Sequence, residues 1–291
     1  MTWRDKEGNA MQYSICPESR EKLVFNYSSD ARPLEGKFGP HVHSGYELIY
    51  LCGGDATYAI EDRKYRLKKD DLIVIRPNDY HVLQFHSEQP YDRYVVQFDP
   101  AALEINMEML PERMDVVSCA HMPIITDLFK KVDYYHTCFS EKTVASIIVL
   151  LLKELLFNLC VVGQNADLQR ISSVHPLIQR ALALINTELF TIENVGEVAR
   201  KLYVTESYLY RLFKKELMTT PGKYITEKRL LAARNMLLQG KNPTQVYLSC
   251  GFTDYSAFYR NYQSFFGYPP SKEEGEITAR TEEESQWEGF C

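Results

Sequence analysis

Four residues in the first third of the chain carry side chains that bind metals or exchange protons: His41, His43 and Glu47, and later His81 after Pro77. Two histidines one residue apart share a face of a β-strand. A carboxylate and a third imidazole from neighbouring strands would complete a donor set suited to a divalent transition metal. The same four groups can instead contact a small effector by hydrogen bonds, and the spacing leaves both readings open. Tyr46, Tyr50, Tyr58 and Tyr65 lie in the same segment. Such rings stack on sugars or fill a β-core, and for most of them core filling is the expected role. His86, His121, His136 and His175 stand alone and receive no role.

A second chemistry sits near the C-terminal end. On a helix, Ser207, Tyr210, Arg211 and Lys214 fall at i, i+3, i+4 and i+7 and form one outward stripe. A polar, cationic stripe is what reading a DNA major groove requires. Arginine donates two bonds to a guanine edge, and the others reach bases or phosphates. A similar set, Tyr255, Ser256, Tyr259, Arg260 and Gln263, follows.

The two sets belong to an internal repeat at an offset of 49 residues: Ser207 matches Ser256, Leu209 Phe258, Arg211 Arg260, Phe213 Tyr262 and Pro221 Pro270. Each copy reads as helix, turn, helix. In the first, Val195, Val198, Ala199 and Leu202 share a face, Thr205 caps the second helix, and Leu209, Leu212, Phe213 and Leu217 point inward. In the second, a helix over Thr244–Cys250 stops at Gly251, Thr253 is the expected cap, and Phe258, Tyr262 and Phe266 point inward. A helix through Arg229–Leu238 would join the copies.

Upstream, residues 20–100 show short alternating runs broken by Cys52-Gly-Gly-Asp and Arg76-Pro-Asn-Asp, which predicts an antiparallel sandwich or barrel. Ile124, Leu128, Val132 and Tyr135 predict one helix. Residues 141–162 predict a longer one, apolar over too much of its circumference to lie on a surface, so it must be buried in its own domain or against another subunit. Gly163–Ser173 reads as a polar linker, and 273–291 as an acidic, disordered tail.

Composition sets outer limits. The chain has 291 residues, 45% hydrophobic and 25% charged, as expected of a globular protein of two domains. It has no run of 18 apolar residues and no signal-peptide core at its start, so the expectation is a cytoplasmic protein with no membrane partner. Seven scattered cysteines without a C-x-x-C pair argue against a disulfide framework or structural zinc. The net charge of −6 conceals a division: residues 173–272 hold 13 lysines and arginines against 7 acids, while the flanking segments are acidic. Only that block is suited to phosphate.

The stretches Ser207-Tyr-Leu-Tyr-Arg-Leu-Phe-Lys-Lys-Glu, Gly251-Phe-Thr-Asp-Tyr-Ser-Ala-Phe-Tyr-Arg-Asn-Tyr and Phe266-Gly-Tyr-Pro-Pro resemble the AraC family of transcription regulators over about 175–272. The set His41-x-His43-x3-Glu47, with Pro77-x3-His81, resembles the two cupin motifs. Together they imply a two-domain α+β protein with an N-terminal cupin-like β-barrel, a helical linker and a C-terminal all-α tandem helix-turn-helix. The implied divisions are an effector domain over 1–120, a helical dimerisation region over 121–172, a DNA-binding domain over 173–272 and the tail. The implied DNA-contacting residues are Ser207, Tyr210, Arg211, Lys214, Tyr255, Ser256, Tyr259 and Arg260. His41, His43, Glu47 and His81 would take the effector, a carbohydrate among the candidates, or a divalent transition metal. The partners would be double-stranded DNA, a small-molecule effector, a second copy of the chain and, for an activator, RNA polymerase. No catalytic residue is implied. The competing reading is a metal-dependent cupin enzyme fused to a helical domain, which leaves the repeat unexplained. A purely architectural DNA binder would not need the β-segment. Three departures from these patterns stand out: Met218 where the first copy usually has glycine, Gln263 and Ser264 where the second has two basic residues, and Asp70 in place of a cupin-motif glycine.

Overall fold

A computed structural model describes residues 12–15, 23–31, 39–111, 114–163 and 172–273. It divides at Ser173/Val174 into two compact units. The first contains strands β1 (Gln12–Ile15), β2 (Leu23–Asp30), β3 (Tyr46–Gly53), β4 (Ala56–Ile60), β5 (Arg63–Arg66), β6 (Asp71–Ile75), β7 (His81–Phe85) and β8 (Tyr91–Phe98). The short helix α1 (Pro100–Leu103), strand β9 (Val116–Ser118), helices α2 (Pro123–Cys138) and α3 (Glu141–Gly163), and strand β10 (Ser172–Ser173) complete it. The strands form two antiparallel sheets, in the orders β1-β2-β8-β3-β6-β9 and β10-β5-β4-β7. The expected barrel therefore takes a two-sheet form.

Register explains why the larger sheet is buried on both sides. In β8, Tyr94, Val96 and Phe98 lie opposite Tyr50, Leu48 and Tyr46 of β3, and opposite Tyr27, Phe25 and Leu23 of β2. Most of that face packs into one core with Ile125, Leu128, Phe129 and Val132 of α2 and with Ile148, Leu152, Leu155 and Leu159 of α3. Tyr50 stacks on Phe129 with ring centroids 4.2 Å apart. On the intervening positions, Ile49, Ile73 and Ile75 turn toward the smaller sheet and join Tyr58, Ile60, Tyr65 and Leu83 in a second core. Three of the four tyrosines flagged in the sequence, Tyr50, Tyr58 and Tyr65, are core residues as expected.

Several local readings shift. Helix α2 buries Ile125 and leaves Ile124 exposed. The helix begins at Pro123, and the buried stripe runs 125, 128, 129, 132, keeping Leu128 and Val132 of the reading, replacing Ile124 by Ile125 and adding Phe129. Helix α3 is long and apolar enough by length and composition to cross a membrane, yet its inner face belongs to the core just described. Asp70 holds the turn expected of glycine with φ of 67°. Aspartate tolerates that region, and its carboxylate accepts a hydrogen bond from Tyr50 Oη at 2.6 Å. Most of the 163–173 linker lies outside the described residues, but Ser172 and Ser173 pair with Lys64 and Arg63 as a strand.

The second unit is all-helical: α4 (Pro176–Thr187), α5 (Val195–Lys201), α6 (Glu206–Leu217), α7 (Pro221–Leu238), α8 (Pro243–Ser249) and α9 (Tyr255–Phe266). Thr205 caps α6 as expected, accepting from the Tyr208 amide. At the equivalent place Asp254, not Thr253, caps α9, because its carboxylate reaches the amides of both Ser256 and Ala257. The joining helix starts earlier than read, at Pro221 behind a Thr220 cap. Glu273, placed in the tail by the sequence, is buried and accepts from Arg234, Tyr262 and Tyr268. Residues 274–291 lie outside the described residues.

The two recognition-type helices end alike. Gly267 closes α9 with φ of 83°, and Met218 closes α6 with φ of 57°. A left-handed residue with a Cβ costs about 1 kcal/mol relative to glycine. Met218→Gly should therefore stabilise the helical unit by roughly that amount, read as a higher urea midpoint at unchanged m-value. A lower midpoint would show that Met218 contributes packing that outweighs its backbone strain.

Candidate functional sites in the two units

Local backbone geometry assembles the four-residue cluster. Arg76–Asp79 forms a turn with Pro77 second and Asn78 third, φ 67°, closed by the Asp79 amide donating to the Arg76 carbonyl at 3.1 Å. The chain returns so that His41 and His81 exchange both backbone hydrogen bonds, at 3.1 and 3.0 Å. Their imidazoles then meet, with Nε2 atoms 2.9 Å apart. Glu47 Oε2 lies 3.5 Å from His43 Nε2 and 3.4 Å from His81 Nε2. The four donor atoms lie within 4.8 Å of one another, so all four residues singled out in the sequence come together.

The tautomers follow from the outer contacts. Nδ1 of His41, His43 and His81 lies 2.8, 2.9 and 2.9 Å from the carbonyls of Gly39, Gly45 and Asp79. A carbonyl only accepts, so each Nδ1 carries the proton and each neutral ring turns a bare Nε2 inward. Glu47 is oriented in turn by Gln97, its cross-strand partner, whose Nε2 donates to Oε1 at 2.8 Å. Burial alone would raise the Glu47 carboxyl, but His43 and His81, which donate to it once protonated at Nε2 as well, outweigh burial and hold the group well below the usual range. Burial lowers His41, helped by His81. Burial also opposes the charge on His43, but Glu47 prevails and its net shift is upward. Three imidazole nitrogens and one ionised carboxylate, each fixed by a second partner, fit a divalent transition metal.

Beside the cluster lies a cavity of about 270 Å³. Its wall is the inward face of the larger sheet: Val24 and Asn26 of β2, Glu47 and Ile49 of β3, and Arg93, Val95 and Gln97 of β8. Tyr58 and Leu83 face them from the smaller sheet. Among the described residues Asn26 Oδ1 is buried without a hydrogen-bond partner, and Arg93 is held by Asp30 at 2.9 Å. Sequence reading missed Asn26, Arg93 and Gln97. The signal was there as polar residues at alternate positions of a strand, but the same pattern describes a solvent face.

In the helical unit, Ser207, Tyr210, Arg211 and Lys214 are all exposed on α6, and Ser256 and Arg260 on α9. Leu209, Leu212, Phe213 and Leu217 are buried beneath α6, and Phe258 and Tyr262 beneath α9. Arg211 packs its guanidinium over the Tyr208 ring at 5.2 Å. The structure departs from the sequence reading at Tyr255. That ring is half-buried, edge-on to Tyr247 at 5.4 Å and near Phe258 at 6.0 Å, because position 255 also borders the inward stripe. Tyr259 is half-buried beside it.

A β-unit enclosing a polar cavity, followed by paired helix-turn-helix units with outward cations, is the layout of a ligand-sensing DNA-binding protein. Residues 29–119 match the AraC-like ligand binding domain, and residues 198–273 match a helix-turn-helix domain family. Over 105 residues the chain is 35% identical to the HTH-type transcriptional regulator ArgR of Pseudomonas aeruginosa, covering 36% of this chain and 32% of that protein. It thus spans about a third of that relative. Over 261 residues it is 21% identical to the Msm operon regulatory protein of Streptococcus mutans, covering 87% of this chain and 92% of that one. A crystal structure of ToxT from Vibrio cholerae aligns over 87% of this chain and 95% of its own at 14% identity, with a TM-score of 0.36. The chain belongs to the AraC family of transcription regulators, with an N-terminal ligand-binding domain and a C-terminal DNA-binding helix-turn-helix domain.

Proposed function

We propose that α6 and α9 enter successive major grooves of double-stranded DNA, and that occupancy of the β-cavity controls that binding. The observation that carries this reading is the matched pair of exposed arginines, Arg211 and Arg260, each six residues after its helix cap in one compact helical unit. Ser207, Tyr210, Lys214, Ser256 and Tyr259 complete the contacting set, with Tyr255 as packing support. The acidic residues of the rest of the chain leave the phosphate attraction to this block. Arg211→Ala should weaken binding to DNA selected by the wild-type protein by about 1–3 kcal/mol and relax base preference at one position. Unchanged affinity and footprint would remove Arg211 from the interface.

The control element is a small polar effector in the cavity, with His41, His43, Glu47 and His81 at its end holding a divalent transition metal. The metal would supply a fixed positive charge to which an oxygen of the effector can be drawn. Chelator-treated full-length protein should bind one Co²⁺ or Ni²⁺ per chain by calorimetry. Its melting temperature should rise, and His81→Ala or Glu47→Gln should abolish both effects. No binding at micromolar metal would leave the four residues as effector contacts alone. We read the cluster as a sensor and the protein as not an enzyme. Turnover by the metal-loaded protein, in a chain that fails to bind DNA, would favour the cupin-enzyme alternative.

We further propose a cytoplasmic homodimer with the domain divisions set out above, the DNA-binding domain extended to Glu273. The outer face of α3 supports the dimer: Leu150, Phe157 and Val161 are 66%, 56% and 65% exposed along one side of the helix. RNA polymerase would be a partner if the regulator activates. Leu150→Glu with Phe157→Glu should convert a dimer to a monomer in sedimentation at micromolar concentration. A wild-type monomer would refute the assignment.

A further inference from the structure

The joining helix α7 carries a buried arginine that touches the loop leading into the first helix-turn-helix copy and the turn of the second. Arg229 donates through Nε to the Leu189 carbonyl at 2.8 Å and through Nη2 to the Ile192 carbonyl at 2.5 Å, both in the loop between α4 and α5. Through Nη1 it donates to the Gly251 carbonyl at 2.8 Å, in the turn between α8 and α9. Among the described residues no carboxylate pairs with it, although it is almost fully buried. Its charge is instead met by the Leu189 and Gly251 carbonyls, just past the C-terminal ends of α4 and α8 where the helix dipoles concentrate negative potential, and by the Ile192 carbonyl in the loop leading to α5.

The backbones close on each other at the same point. A Cβ at Gly251 would lie 2.6 Å from the Phe190 carbonyl oxygen and 2.9 Å from Arg229 Cζ, and its φ is +78°. Only glycine lets the turn of the second copy touch the loop that leads into the first. A planar fork with donors in three directions suits this junction, and a lysine ammonium cannot span the three carbonyls in the same geometry.

We infer that Arg229, seated against Gly251, is a positioning residue for DNA reading that fixes the distance and angle between α6 and α9. It acts through the backbone of both copies and not by touching DNA. The inference rests on the proposed DNA reading by both helices, and its test separates the two. The wild-type full-length chain is used to select duplexes from a random pool, and binding is measured on two-box DNA, on each box alone, and with one base pair inserted between boxes. With Arg229→Lys, two-box affinity should fall tenfold or more and the penalty for the inserted base pair should shrink. Affinity for each box alone should change less than about twofold. Gly251→Ala, which keeps the arginine in the sequence but presses a methyl against its guanidinium and the Phe190 carbonyl, should give the same pattern and serves if the lysine variant fails to fold by circular dichroism. Wild-type affinity and spacing preference in folded variants would overturn the inference, as would equal losses on one-box and two-box DNA. A readout without DNA decides the case in which no two-box DNA is selected and the α6/α9 reading itself fails. Nitroxides placed at the exposed positions of Lys215 and Gln263 should give a narrow distance distribution in wild type and a broad one in Arg229→Lys. Equal widths would refute the clasp independently of any DNA result.

Discussion

The larger sheet of the N-terminal unit packs on helices along one face and meets the smaller sheet across the other, and that constraint sets the chemistry of its central strands. With a side-chain period of two, β8 must send Tyr94, Val96 and Phe98 to the helices and Arg93, Val95 and Gln97 to the cavity. A one-residue slip would put a paired arginine against Phe129 and strip Glu47 of Gln97. Register is therefore fixed by packing on one side and by polar pairing on the other. The dry face, with its stacked Tyr50 and Phe129, gives the wet face its rigidity.

The site was legible where the signal was local. His41, His43 and Glu47 sit within one short stretch, and the motif around His81 carried its own turn residues. The paired stripes of α6 and α9 were legible because the sequence states them twice. What was not legible was coverage. Nothing near Asn26 or Arg93 in the chain reveals that a second sheet will close over them, and their alternation is the same as that of a wet surface. Tyr255 is half-buried for a related reason. Its place on the outward arc was right, but the width of the apolar face depends on Tyr247, which another helix supplies. Thr253 was displaced as a cap by its neighbour, whose carboxylate satisfies two amides where a hydroxyl satisfies one.

The two helix-turn-helix copies have diverged in ways that complement each other. The first keeps the denser cationic stripe, with Lys214 and Lys215 after Arg211. It accepts a left-handed methionine at its end, and it meets Arg229 with a loop of the kind that precedes a helix. The second has an aromatic core of Phe258, Tyr262 and Phe266 and meets the same arginine with a glycine turn. A duplicated unit needs a joint, and the joint here is one guanidinium held by carbonyls from both sides.

How buried charge is compensated distinguishes structural sites from a binding site within this one chain. Asp115 is fully buried, yet Arg63 at 2.9 Å, Arg76 at 3.1 Å and Tyr65 at 2.7 Å satisfy it. Arg93 is matched by Asp30, Glu273 by Arg234 and two tyrosines, and Arg229 by three carbonyls. Each arrangement is electrostatically closed, and an added ligand would have to displace a partner. The histidine cluster is organised the other way. Its outer nitrogens are committed to carbonyls, and its inner ones point lone pairs at each other and at a carboxylate, with His41 and His81 only 2.9 Å apart. Lone pairs so placed repel unless a proton or a cation sits between them. A proton shared between the rings relieves that repulsion, and so would the divalent cation proposed above.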